Sequence, residues 1–192
     1  GLVEFSLFDH SIHNRTIYNE IKNVPGGYLF EFQNGIVTEK LCYDIANWFT
    51  SKPRKRKESL YDINLALKSI IGNYIDSTDK FNTSLTGGFD GRLNFSFIKK
   101  EDYPRLRAMS YGMSGSKQLS VPKSISEELG FQYSPILLDY DFEKVYSKMG
   151  LESINLTCGI TGFNRAVYPY AYNIIKDYSR SCMLGQCDMI RP

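Results

Sequence analysis

A chain of 192 residues, 42% hydrophobic and 14% aromatic, is long enough for one well-buried domain or for one domain with an appendage. Its 23 basic and 21 acidic residues leave a net charge of +2, which excludes a global bias towards nucleic acid or anionic membrane. No stretch approaches the roughly 20 apolar residues of a membrane span, and the first residues lack a basic region followed by an apolar one, so a soluble cytoplasmic protein is expected.

In chain order, Gly1 to Phe8 reads as a strand, and Ser11 to Asn23, with Ile12, Ile17, Tyr18 and Ile21, as a short helical turn. Gly27 to Phe32 and Ile36 to Leu41 form a predicted hairpin, because Asn34-Gly35 between alternating apolar runs tolerates positive φ at both positions. Lys52-Pro53-Arg54-Lys55-Arg56-Lys57 is the one dense charge run and reads as a solvated linker. In the helix after it, Leu60, Ile63, Leu67, Ile70 and Tyr74 recur at steps of three and four, the face expected to pack on a sheet. Strands are expected over Phe81 to Leu85, Leu106 to Met113, Gln132 to Leu138 and Cys182 to Gly185, with helices over 120–129, closed by Gly130, 142–149 and 166–178. Arg92 to Ile98 fits either a helix start or a strand. This alternation predicts an α/β fold, a parallel sheet with helices on both faces, preceded by a small β-rich segment: residues 1–50 and 51–192 as the two parts.

Cys42, Cys158, Cys182 and Cys187 lack metal or redox spacing and read as free thiols; His10 and His13 read as surface residues. The segment with chemical character is Ser84-Leu85-Thr86-Gly87-Gly88-Phe89-Asp90-Gly91-Arg92. Two adjacent glycines can take positive φ and let backbone N–H groups converge on an anion. Thr86 adds a hydroxyl donor, and Asp90 offers an oxygen ligand for the Mg²⁺ that travels with a nucleotide. The same residues also occur in turns that bind nothing. Position favours a site, since a loop at a strand's carboxyl end is where open α/β sheets bind ligands.

Thr86 to Gly91 resembles the Ser-Gly-Gly-x-Asp-Ser pyrophosphate loop of the asparagine synthetase family, within the adenine nucleotide alpha-hydrolase superfamily. Ser110-Tyr111-Gly112-Met113, the helix to Leu129-Gly130 and the strand through Pro135 to Leu138 are similar to the family's next strand, helix and strand. Upstream, Arg15 to Ile21 and Val24-Pro25-Gly26-Gly27-Tyr28-Leu29 resemble the segment closing its amidotransferase domain. The resemblance implies ATP and Mg²⁺ as cofactors, activation of a small carboxylate as an acyl-adenylate with release of pyrophosphate, and displacement of AMP by an amine. It implies a nucleotide loop of Thr86, Gly87, Gly88, Asp90 and Gly91, with Leu85 and Met113 near the adenine and Asp90 near the metal.

Thr86 keeps the hydroxyl of the family's first serine, whereas Gly91 replaces a second serine expected to contact phosphate, a loss of roughly 0.5–1.5 kcal/mol that Arg92 would offset with a charge-assisted contact. Leu184 to Met189 partly resembles a Gly-x-Gly-x-Asp-Glu loop, making Asp188 the candidate second metal ligand, with Met189 where an acidic residue belongs. With no amino-terminal cysteine and an end soon after Asp188, the chain reads as a fragment or a reduced homologue. The expected function is an ATP-dependent amide-forming or adenylating enzyme. The alternatives are a nucleotide-binding or interaction protein without turnover, and a tRNA-modifying relative using Lys52 to Lys57.

Overall fold

A computed structural model describes residues 1–44, 46–50 and 52–184. The elements run α1 (Leu2–Phe8), β1 (Tyr28–Gln33), β2 (Ile36–Leu41), α2 (Ala46–Thr50), α3 (Arg56–Asp76), β3 (Phe81–Ser84) and α4 (Phe89–Phe95). They continue through β4 (Leu106–Gly112), α5 (Lys117–Leu129), β5 (Gln132–Leu137), α6 (Tyr140–Leu156), α7 (Val167–Ile175) and β6 (Cys182–Met183). Two compact units result: Gly1–Lys55 with Gly150–Arg165, and Arg56–Met149 with the residues from Ala166 onward. The first boundary falls in the basic run. The second does not follow the expected division, because 150–165 joins the amino-terminal unit.

In the first unit the β1–β2 hairpin turns through Asn34 at φ 52° and Gly35 at φ 79°, as the Asn-Gly pair requires. Residues 2–8 are a helix, not the expected strand. Their apolar positions suit either period, and among the described residues the hairpin strands pair only with each other. The Glu4 carboxylate instead binds Arg15 and accepts from the Ile12 N–H at 3.3 Å, and Asp9 ends the helix at φ 59°. Residues 11–23 form no helical turn. The chain folds back through an Arg15–Lys22 bridge, held by the buried Thr16 hydroxyl, which donates to the Ile21 carbonyl at 2.7 Å. Ser11 and Ile17 then donate their N–H groups to the carbonyls of Gly159 (2.9 Å) and Cys158 (3.2 Å), tying 11–17 to 150–165.

In the second unit four parallel strands lie in the order β5-β4-β3-β6. Period-two alternation divides its core. Phe81, Leu106 and Ala108 pack with Ile71 and Ile75 of α3 and with Phe95, Ile98 and Phe131. Met109 and Ile136 pack on the opposite side with Ala171 and Ile175 of α7. Helices therefore cover both faces, as the alternation predicts.

The apolar face of α3 differs from the expected one. Ile71 and Ile75 are buried and Tyr74 packs beside them as expected, Leu67 is half-buried, and Leu60, Ile63 and Ile70 are exposed. At about 1.5 Å per residue the helix runs about 31 Å, against about 23 Å for the seven residues of β4, so it is longer than the sheet, and its buried residues fall in its last two turns. Arg105 closes that end, donating to the Ile75 carbonyl at 3.0 Å while pairing with Asp102 at 2.7 Å. Residues 89–95 settle the open choice in favour of a helix, and α6 runs seven residues past Met149.

Candidate functional site

The first strand of this parallel sheet, β3, has β4 on one side and β6, the last strand, on the other. Connections leaving such neighbours diverge to opposite faces, which opens a crevice at the carboxyl ends of the strands. A cavity of about 440 Å³ lies there. Ser84, Thr86, Gly88, Asp90 and Gly91 supply its polar side from the end of β3 and the start of α4. Met109 and Tyr111 of β4, Tyr168, Ala171, Tyr172 and Ile175 of α7, and Cys182 and Leu184 supply an apolar and aromatic side.

Alternation explains which residues reach it. Ser84 pairs in register with Met109, so both belong to the α7 face, and Tyr111 follows two residues later. Leu85, expected near the adenine, falls on the other face and is wholly buried beside Ile71 and Ile75. Met113 lies just past the end of β4 and is 72% exposed; neither it nor Leu85 lines the cavity. Tyr168 and Tyr172, which sequence reasoning missed, are its aromatic wall, with Tyr111 and Tyr168 edge to face at 6.4 Å. The tyrosine-rich stretch before β6 carried that signal, but its face could not be read without knowing where β6 pairs.

The loop is compact by a different means from the one expected. Neither Gly87 nor Gly88 adopts positive φ; Gly88 caps α4 at φ −75°, ψ 164°. The Thr86 hydroxyl oxygen accepts the Gly88 N–H at 3.1 Å, closing the turn on itself. Arg92 donates from Nε to the Gly88 carbonyl at 3.2 Å, with its guanidinium 4.9 Å from the Phe89 ring centre. It braces the loop from outside the cavity lining. Gly87 lies beside the start of α5, where a Cβ would be 3.5 Å from the Lys117 carbonyl. That turn of α5 is held by Ser110, which donates to the Gln118 carbonyl at 2.9 Å and lies 2.6 Å from the Tyr133 hydroxyl.

Gly91 is buried against β3, where an added Cβ would meet the Ser84 carbonyl at 2.9 Å and the Thr86 nitrogen at 3.3 Å. The missing side chain is what lets α4 approach the strand this closely. Asp90, in the first turn of α4, is the one carboxylate lining the cavity among the described residues. Asp188 lies outside the described residues, and among those described no group of three or more His, Cys, Asp or Glu residues is placed to hold a metal.

Burial pushes the Cys182 thiol up from 9.0 to about 11. The folded protein thus keeps a proton that the unfolded chain releases near pH 9. The resulting stability is intact below pH 9 and is lost as pH rises to about 11, a decline of about 2–3 kcal/mol. Urea unfolding at pH 8 and at pH 11 measures it. The drop in wild type should exceed that in Cys182→Ala by this amount; equal drops would show that the thiol is not responsible.

Compared with known proteins, the chain matches no protein-family model and shows no significant similarity to a curated protein.

Proposed function

We propose that the second unit binds ATP at the β3 turn and that the chain is an ATP-dependent amide-forming or adenylating enzyme resembling asparagine synthetase. The observation that carries this reading is that the Thr86 to Gly91 turn lies at the reversal of strand order, on the rim of a cavity whose other side is aromatic. A nucleotide has the same division into a flat apolar base and polar phosphates, and the cavity volume falls in the range of small-ligand sites.

In this reading Tyr111, Tyr168 and Tyr172 hold the base, and the hydroxyls of Thr86 and Ser84 face the phosphates. Asp90 would hold Mg²⁺ from the first turn of α4, with Asp188 the second ligand that the resemblance implies, carboxylates suited to an ion that keeps most of its waters and phosphate ligands. ATP supplies the AMP group that activates a small carboxylate, and an amine acceptor then takes the acyl group. The protein contributes position: Arg92 and Thr86 fix the loop, and Gly91 brings α4 to the strand end.

Calorimetric titration with ATP and Mg²⁺ tests the binding reading. Tyr168→Ala is expected to weaken affinity about tenfold, the effect of losing one base–aromatic contact, while leaving the unfolding midpoint near that of wild type. Absence of binding by the wild-type chain would remove the reading. Release of pyrophosphate on adding candidate acids and amines tests turnover. The second reading, a nucleotide-binding protein without turnover, is favoured by the Gly88 N–H already being bonded within the loop, and predicts binding without pyrophosphate release.

A further inference from the structure

The basic run Lys52-Pro53-Arg54-Lys55-Arg56-Lys57 joins the two compact units, and its place in the fold gives it a use that charge alone does not. All six residues are exposed; Lys52 to Lys55 belong to no helix or strand, and α3 begins only at Arg56. A protease takes its substrate as an extended segment, so an exposed stretch outside regular structure is cut before residues in helices or paired strands. We propose that this run is a processing site for a protease whose primary pocket accepts Arg or Lys, and that the cut protein stays assembled.

The position of the cut follows from the local residues. Cleavage after Lys52 is blocked because the next residue is Pro53, whose ring removes the N–H and fixes φ at the scissile bond. Arg56 and Lys57 lie in the first turn of α3, which must unwind before either can lie extended. The favoured bonds are therefore Arg54–Lys55 and Lys55–Arg56. Water adds across the amide, leaving a carboxylate on Arg54 or Lys55 and an ammonium group on the residue that follows.

The consequence follows from the composition of the first unit. Residues 1–55 do not form it alone; 150–165 complete it and reach the second unit through the unbroken helix α6. The amino-terminal piece is held there by the Ser11 and Ile17 hydrogen bonds to Gly159 and Cys158. Packing adds to this: Gly159, at φ 80°, lies so close to Ile17 that a Cβ would be 2.4 Å from its Cγ2. Thr16 is 3% exposed and Ser11 9%. A cut in the run removes one covalent link between the units and leaves these contacts intact.

Limited digestion of the full chain with trypsin, followed by mass analysis and by size exclusion under native conditions, tests both parts. The first products should be the complementary pieces ending at Arg54 or Lys55, formed about tenfold faster than products of any other cut, as ~1.4 kcal/mol less local opening would give. Both pieces should elute together at the position of the uncut chain and separate only in denaturant. Replacing Arg54, Lys55, Arg56 and Lys57 together by Gln should slow the first cut at least tenfold without moving the unfolding midpoint. First cuts elsewhere, such as after Lys100 or Arg180, would overturn the site, and separate native elution of the pieces would overturn the assembly. ATP binding plays no part in this experiment, so its outcome is independent of the nucleotide reading.

Discussion

Gly91→Ala is expected to destabilise the second unit by about 1–3 kcal/mol, the usual effect of inserting a methyl group into a filled space, although alanine is ordinarily the better helix former. The obstruction is backbone: the new Cβ would lie 2.9 Å from the Ser84 carbonyl oxygen, at the last residue of β3, and cannot be relieved by a rotamer change. Relief requires α4 to move away from the strand, carrying Asp90 and the Gly88 cap with it. Gly91→Ser should cost at least as much. It would not restore a phosphate contact, because the side chain would point at the strand. Urea unfolding of both variants measures the loss, and a Gly91→Ala variant as stable as wild type, or more so, would show that α4 does not need its present proximity.

Asn82→Ala should have the larger effect, about 2–4 kcal/mol, because it breaks a buried polar network rather than a single contact. Asn82 is fully buried, donates from Nδ2 to the Ser179 carbonyl at 2.7 Å, and accepts from Arg107 Nε at 3.0 Å. Arg107 in turn donates to the Ile175 carbonyl at 2.6 Å, with its guanidinium 4.5 Å from the Tyr178 ring centre. Burial holds the Arg107 pKa below its ordinary value, against the opposing pull of Tyr178 and Asp177, and the Asn82 carbonyl gives this desolvated guanidinium an acceptor. Truncation leaves this half-buried cation one acceptor short and the Ser179 carbonyl without its side-chain donor. Ile175 and Cys182, next to this network, line the cavity, so on the proposed reading ATP affinity should fall with stability. Asn82→Asp, which keeps an acceptor for Arg107 but sets a carboxylate oxygen against the Ser179 carbonyl where the amide now donates at 2.7 Å, should cost at least as much. A loss under about 1 kcal/mol for Asn82→Ala, measured by urea unfolding at pH 7, would mean that water replaces the network without penalty.

Short-range signals carried the legible part of this fold. Asn34-Gly35 set the hairpin turn because both residues occupy positive φ there, and Gly130 ends α5 at φ 78°. The apolar strands separated by helical stretches were enough to identify an α/β unit with a parallel sheet, since parallel neighbours require long crossovers. The turn at Thr86 to Gly91 was legible as a feature at a strand end for the same local reason.

What the sequence left open depended on partners distant in the chain. Leu2 to Phe8 suited two periods, and the helix is the form whose Glu4 reaches Arg15 and the Ile12 N–H, partners outside the segment. The buried face of α3 was settled by where a short sheet ends beneath a long helix, which no periodicity encodes. Tyr168 and Tyr172 became cavity residues only because β6 pairs with β3 across about 100 positions, bringing α7 over that face. The sequence by itself determined that an α/β unit carries a glycine turn at a strand end; the tertiary structure decided that Gly91 serves close packing and that tyrosines from α7 face the turn, because both follow from distances between elements rather than from residues along one.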